Sequence, residues 1–155
     1  MKILMIMIFA VSLMTTAQAQ KVTSIDVPSA VAAAFKSKFP AVTKVKWEME
    51  EGNEYEAIFK QNGEEASANF DPTGKWLETE LEMEVSGLPA NIQAALKKDF
   101  AGYKINEASK VESVKNGSTY EAEVEKGEMN YDVLYAADGK FINKTKVAEG
   151  KEDKD

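Results

Sequence analysis

The residues best suited to do chemistry in this sequence are carboxylates. The segment Leu77-Glu78-Thr79-Glu80-Leu81-Glu82-Met83-Glu84-Val85 alternates so that an extended backbone puts four glutamates on one face and five mostly apolar residues on the other. Same-face neighbours on such a strand sit about 6.6–6.8 Å apart. The strip can be a solvated outer face that also discourages edge-to-edge aggregation. It can also be a docking strip for a basic partner, or a weak calcium site. Calcium gathers about six to eight oxygens, often from one loop, and no Asp-x-Asp-x-Asp-Gly loop occurs here. Glu56 and Glu121 invite another reading, because paired carboxylates serve as general acid and base in glycosidases. Both sit inside Tyr-Glu-Ala, at 55–57 and 120–122, and a recurring position points to a repeated structural role. Asp71 and Asp138 read as turn residues.

What the sequence lacks removes most other chemistry. Its 155 residues include 19 lysines, 26 acidic residues and no arginine, histidine or cysteine, for a net charge of −7. Without cysteine there is no disulfide framework, thiolate nucleophile or zinc ribbon. Without histidine there is no imidazole base and no Ser-His-Asp triad. Without arginine there is no bidentate phosphate clamp, and an acidic surface is repelled by nucleic acid and anionic membranes. The expectation is a non-enzymatic protein with no catalytic residue, metal or cofactor.

The N-terminus reads as an export signal. Lys2 precedes an apolar run from Ile3 to Met14, and Ala17-Gln18-Ala19 supplies small residues at −3 and −1 of a cleavage site. That run is shorter than the ~20 residues a membrane-spanning helix needs. Residues 1–19 are therefore expected to be removed, leaving a periplasmic or secreted chain with no membrane insertion.

The carboxylates must be positioned by a scaffold that is written twice. Val27, Val31, Phe35 and Phe39 form one helical stripe, and Leu88, Ile92, Leu96 and Phe100 form another at an offset of 61. The first residue of each stripe is followed directly by a proline, Pro28 or Pro89, which suits a helix start. The helices are expected to stop at Pro40 and Gly102. After each helix the period becomes two. Turn signals at Gly52-Asn53, Asn62-Gly63 and Asp71-Pro72-Thr73-Gly74 separate four strands in the first half. Asn116-Gly117, Lys126-Gly127 and Asp138-Gly139 do so in the second. Strand landmarks repeat at an offset of 65, implying about four extra residues between the second helix and its second strand. The fold class is therefore α+β, as two tandem repeats, each one helix followed by a four-stranded antiparallel meander. The repeats span 20–86 and 87–148, joined edge to edge or packed together, with a charged tail at 149–155.

Most aromatic residues follow the apolar alternation and belong to the core. Trp76, and Phe141 at the equivalent position, do not: simple alternation puts Trp76 with Glu78, opposite Leu77, so a bulge or partial exposure is expected there. Ile58 and Leu134 fall on the side facing away from the helices.

Val27-Pro28-x-x-Val31-x-x-Ala34-Phe35 and Leu88-Pro89-x-x-Ile92-x-x-Ala95-Leu96, each followed by Tyr-Glu-Ala and a Gly-Lys-aromatic turn exit, resemble the PepSY-like family, also described as beta-lactamase-inhibitor-like. The resemblance runs from about Asp26 to Val147. It implies a tandem α+β protein of the cell envelope, similar in fold to a proteinaceous enzyme inhibitor, and carries over no catalytic residue.

These readings converge on a binding protein whose expected partner is another envelope protein, such as a hydrolase that it inhibits or modulates, engaged through the helix-free sheet face and adjacent turns. Trp76, Phe141, Ile58 and Leu134 are the expected apolar contacts, with Glu78, Glu80 and Glu82 as an acidic rim. The alternative is a small-ligand or calcium-binding protein using the acidic strand 77–85.

Overall fold

A computed structural model describes residues 25–50 and 52–147 of the chain. The expected leader at 1–19, its cleavage point and the tail at 149–155 lie outside the described residues. Two ten-residue helices form where the stripes predict them, α1 at Ser29–Lys38 and α2 at Ala90–Asp99. Each proline occupies the N-cap, one position earlier than the first helical turn, and its carbonyl starts the helical ladder by accepting from Ala32 or Gln93 at 3.0 Å. Lys36, Lys38, Lys97 and Lys98 lie in the last turns, where the helix dipole favours positive charge. Val31 and Phe35 are buried on α1, as are Ile92 and Leu96 on α2.

Four strands follow each helix. They are β1 (Val45–Glu50), β2 (Glu54–Gln61), β3 (Glu64–Phe70) and β4 (Trp76–Met83), then β5 (Lys104–Ser113), β6 (Gly117–Lys126), β7 (Met129–Ala136) and β8 (Phe141–Lys146). A 3-10 turn at Val85–Gly87, not anticipated from sequence, joins the halves. All eight strands form one antiparallel sheet in sequential order. The seam is a regular ladder from Glu78↔Ser113 to Met83↔Ala108. Strand β4 is thus interior, and its glutamates do not guard an edge. The four extra residues appear as the greater length of β5, ten residues against six in β1. This lengthens the β5–β6 hairpin and lets its tip pair with β4.

Both helices lie on the same side of the sheet. Under α1, Val31 and Phe35 pack with Ala57, Phe59, Ala66, Ala68 and Phe70. Under α2, Leu88, Ile92 and Leu96 pack with Ala108, Ala122, Val124, Val133 and Tyr135. Leu81, on the first core, and Met83, on the second, are alternate residues of β4 and share one face. Among the described residues, no helix covers the opposite face or is long and apolar enough to cross a membrane.

The β3–β4 corner is held tightly against α1. Gly74 has φ +87°, and a Cβ there would stand 2.6 Å from the Ala30 carbonyl oxygen. Glycine alone satisfies both demands.

Candidate functional site

The helix-free face is where the structure collects the carboxylates. Inward-facing residues are set by the core, so their neighbours in sequence must face outward. On the first half that rule exposes Glu48, Glu50, Glu54 and Glu56. On the central and second-half strands it exposes Glu78, Glu80, Glu82, Glu107, Glu121, Glu123 and Asp132. Several stand directly opposite one another, as in Glu48↔Glu56, Glu107↔Glu123 and Glu123↔Asp132. Like charges in such pairs oppose folding.

The centre of this face lies over β4 to β7. Glu80 faces Val111, Glu82 faces Ser109, and Glu121 faces Ser109 and Leu134. The Ser109 hydroxyl donates to a Glu80 carboxylate oxygen. Thr119 is fully buried and Val111 is 6% exposed, although no described helix covers them. The Thr119 hydroxyl donates to the Val111 carbonyl at 3.3 Å, so its burial leaves no donor unpaired. A small depression of about 50 Å³ is lined by Glu80, Ser109, Glu121, Glu123 and Asp132 among others.

Crowding of negative charge out of water changes protonation. Burial, then the charges of Glu80, Asp132 and Glu78, pushes the Glu121 carboxyl up to about 8. Glu78 is raised too, by burial first and then by Glu80 and Glu54. Burial and like charge thus favour the protonated form of Glu121 well above the usual carboxylate range. Beside this cluster, the side-chain amide of Asn106 donates to Glu123 and Glu125, and that of Asn130 donates to Glu123.

The expected contacts do not share one surface. Trp76 packs on the first core, donates from its indole nitrogen to Thr79 at 2.9 Å, and lies 3.9 Å beneath the Lys38 ammonium. A bulge explains this placement: the β3–β4 register slips between Asn69 and Phe70, leaving Leu77 extra and pairing Trp76 with Phe70. The same slip occurs between Leu134 and Tyr135 and turns Phe141 toward Tyr135, at 5.6 Å between ring centroids, although Phe141 stays 42% exposed. Trp76 and Phe141 thus belong to the helix side. Ile58 and Leu134 do face away from the helices, paired with Lys46 and Glu121 respectively. They stand five strand positions apart, about 24 Å across the sheet. Glu78, Glu80 and Glu82 lie between them. The expected apolar centre with an acidic rim is therefore inverted into an acidic centre with apolar flanks.

Glu56 and Glu121 do not converge. They occupy β2 and β6, four strand positions or about 19 Å apart, beyond the ~5–9.5 Å separating glycosidase carboxylates. The sequence reading missed the trio Glu48, Glu50 and Glu56, whose carboxylates lie within 4.8 Å of one another. It also missed the contribution of Glu107, Glu123 and Asp132. Their outward alternation was legible, but not which strands would adjoin.

Comparison with known proteins adds the following. The family model described as "Putative beta-lactamase-inhibitor-like, PepSY-like" matches residues 13–64 and 53–143. No curated protein matches the chain. Among solved structures, a "putative periplasmic" protein from Bacteroides eggerthii aligns with a TM-score of 0.72 at 19% identity, covering 83% of this chain and 94% of its own. A DUF2874 family protein from Bacteroides ovatus gives 0.71 at 22% identity, with the same coverages of 83% and 94%. A BLIP-like protein from Bacteroides fragilis gives 0.69 at 24% identity, covering 83% of this chain and 92% of its own. At these identities the likeness is one of fold.

Proposed function

The chain belongs to the PepSY-like family, and on that premise we propose that it is a non-enzymatic binding protein of the cell envelope. In this reading residues 1–19 are an export leader cleaved after Ala19, and the chain is two copies of one helix-and-four-strand unit fused through their sheets. The partner is another envelope protein, a hydrolase that the chain inhibits or modulates. The beta-lactamase-inhibitor-like description of the family and the fold shared with a BLIP-like protein support this reading.

The observation that carries it is the acidic centre of the helix-free face. Carboxylates gathered until one holds a proton near pH 8 are unfavourable in the isolated protein. A basic partner surface would relieve that repulsion. Glu78, Glu80, Glu82 and Glu121 form the contact centre, with Ile58 and Leu134 as flanking apolar contacts. Trp76 and Phe141 act through the fold.

The test is capture from envelope extract with the exported chain and with a triple variant, Glu78→Gln, Glu80→Gln and Glu121→Gln. A basic protein retained by the first, lost by the second and released as salt rises supports the reading. Equal retention by both chains would sink the face assignment.

A second reading, cation binding, is favoured by the Glu48, Glu50 and Glu56 carboxylates within 4.8 Å of one another, outside the 77–85 strip first considered. Calcium at about 100 times its dissociation constant would add about 2.7 kcal/mol to stability. A melting temperature unchanged by calcium removes this reading.

A further inference from the structure

A groove of ligand size lies away from the acidic centre, at the start of β1. It measures about 690 Å³ and is lined by Val45, Ile58 and Phe59, with Lys44 and Lys60 bringing positive charge and Glu65, paired with Lys60 at 3.6 Å, a negative one. On a chain of net charge −7 this is a local basic spot. Strand β1 is also an edge: among the described residues it pairs only with β2, and Val45 and Met49 are 37% and 45% exposed. An edge strand of this kind presents backbone donors and acceptors that can pair with another chain.

The second half of the molecule shows what such a strand accepts. Strand β4 lies antiparallel on β5, with Met83 opposite Ala108, and Val85 then turns in to pack on the second core. Ala108 pairs with Ala122, as Trp47 pairs with Ala57. Ala57 and Ala122 end the two Tyr-Glu-Ala segments, so Trp47 holds in β1 the place of Ala108 in β5.

We infer that β1 and its groove form a docking site for the extended C-terminal segment of a partner protein, added antiparallel as a further strand. Direction follows from the pairing. An antiparallel strand runs toward the start of β1, so its last residue and free carboxylate reach the groove near Lys44, Lys60 being already paired with Glu65. The residues opposite Met49 and Trp47 face the helix side and are apolar. The residue opposite Glu48 is basic, because the Glu48, Glu50 and Glu56 carboxylates gather there, with Lys46 bridging Glu48 at 2.7 Å. The final side chain, opposite Val45, is apolar and occupies the place that Val85 fills beside β5. Ladder bonds supply affinity, while the alternate side chains and the terminal carboxylate supply selectivity. This site shares Ile58 with the flank of the acidic face but does not depend on the carboxylates at its centre.

The experiment titrates the exported chain with the peptide serine–valine–lysine–valine–serine–valine carrying a free carboxylate, followed by backbone amide NMR. Saturable perturbation of residues 42–49 and 58–60 is expected. Amidating the peptide terminus, or Lys44→Glu in the protein, is expected to weaken binding about tenfold each, through loss of a charge-assisted contact. Lys44 is exposed in a connecting segment, so the fold should survive the change, which the same spectra verify. Three results would overturn the inference. One is no saturable response at millimolar peptide, and another is equal affinity for the amidated peptide. The third is perturbation confined to β4–β7, which would move peptide binding to the acidic centre.

Discussion

Beneath α1 the core is a cluster of rings, and beneath α2 it is chiefly aliphatic. The Phe35 ring stands 5.2 Å from Phe39, 5.3 Å from Trp47, 5.2 Å from Phe59 and 6.3 Å from Phe70, mostly edge to face. Its counterpart 61 residues on, Leu96, is buried in a cluster with Leu88, Ile92, Val124 and Val133. At a second corresponding pair, Phe70 is wholly apolar, whereas Tyr135 keeps its hydroxyl bonded to Asp99 at 3.1 Å at the end of α2. The same order of elements, a helix and then four strands, is thus packed with two side-chain chemistries. The arrangement needs apolar volume under a helix stripe, and either rings or branched aliphatics meet that need.

The largest expected effect tests this contrast directly. Phe35→Ala should cost about 4 kcal/mol and Leu96→Ala about 3 kcal/mol, measured by denaturant unfolding, because removing a ring also strands its edge-to-face neighbours. If Leu96→Ala costs clearly more, the ring cluster is not the stronger of the two cores. Because β4 pairs with β5, both variants should unfold in one transition. Two separated transitions would show that the seam does not couple the halves.

The next effect sharpens the contrast between the two faces of the sheet. Glu121 titrates near 4.5 when unfolded and near 8 when folded, so the folded chain holds an extra proton between those values. That contribution is fully present below about pH 4.5, fades as pH rises and is gone above about pH 8. Stability should fall by about 3 kcal/mol between pH 5 and pH 7.5 on this account. Glu121→Gln should flatten the fall, read as melting temperature across that window. An equally steep fall in the variant would place the proton on another group. The smallest effect concerns the polar handle of the second core: Tyr135→Phe should cost about 1 kcal/mol by loss of the Asp99 bond.

Much of this architecture was legible in local pattern. The four-residue spacing of Val31 and Phe35, and of Ile92 and Leu96, forecast both helices, and the period-two alternation forecast the strands. Asn62-Gly63 adopts the paired positive φ values, 56° and 98°, of a tight hairpin turn. Even the bulge beside Trp76 followed from a broken alternation. Its consequence for the site did not, because the slip at Leu77 decides which face Trp76 joins. The candidate site was legible only in its material, the outward glutamates of β4.

Sequence by itself determined the elements, their order and which side of each strand would be apolar, because these depend on residues two to four apart. It also determined, through the absent histidine, cysteine and arginine, that no imidazole, thiolate or guanidinium is available to any site. Tertiary structure alone decided that β4 pairs with β5 rather than standing at an edge. That one pairing fuses two sheets into one and carries Glu80 beside Ser109 and Glu121. The protonation of Glu121 is likewise largely tertiary, since burial and the charges of Glu80 and Glu78 on the distant strand β4 act on it, with only Asp132 contributed by the adjoining hairpin strand. Local periodicity fixes which way a side chain points, but only the pairing of distant strands fixes what it points beside.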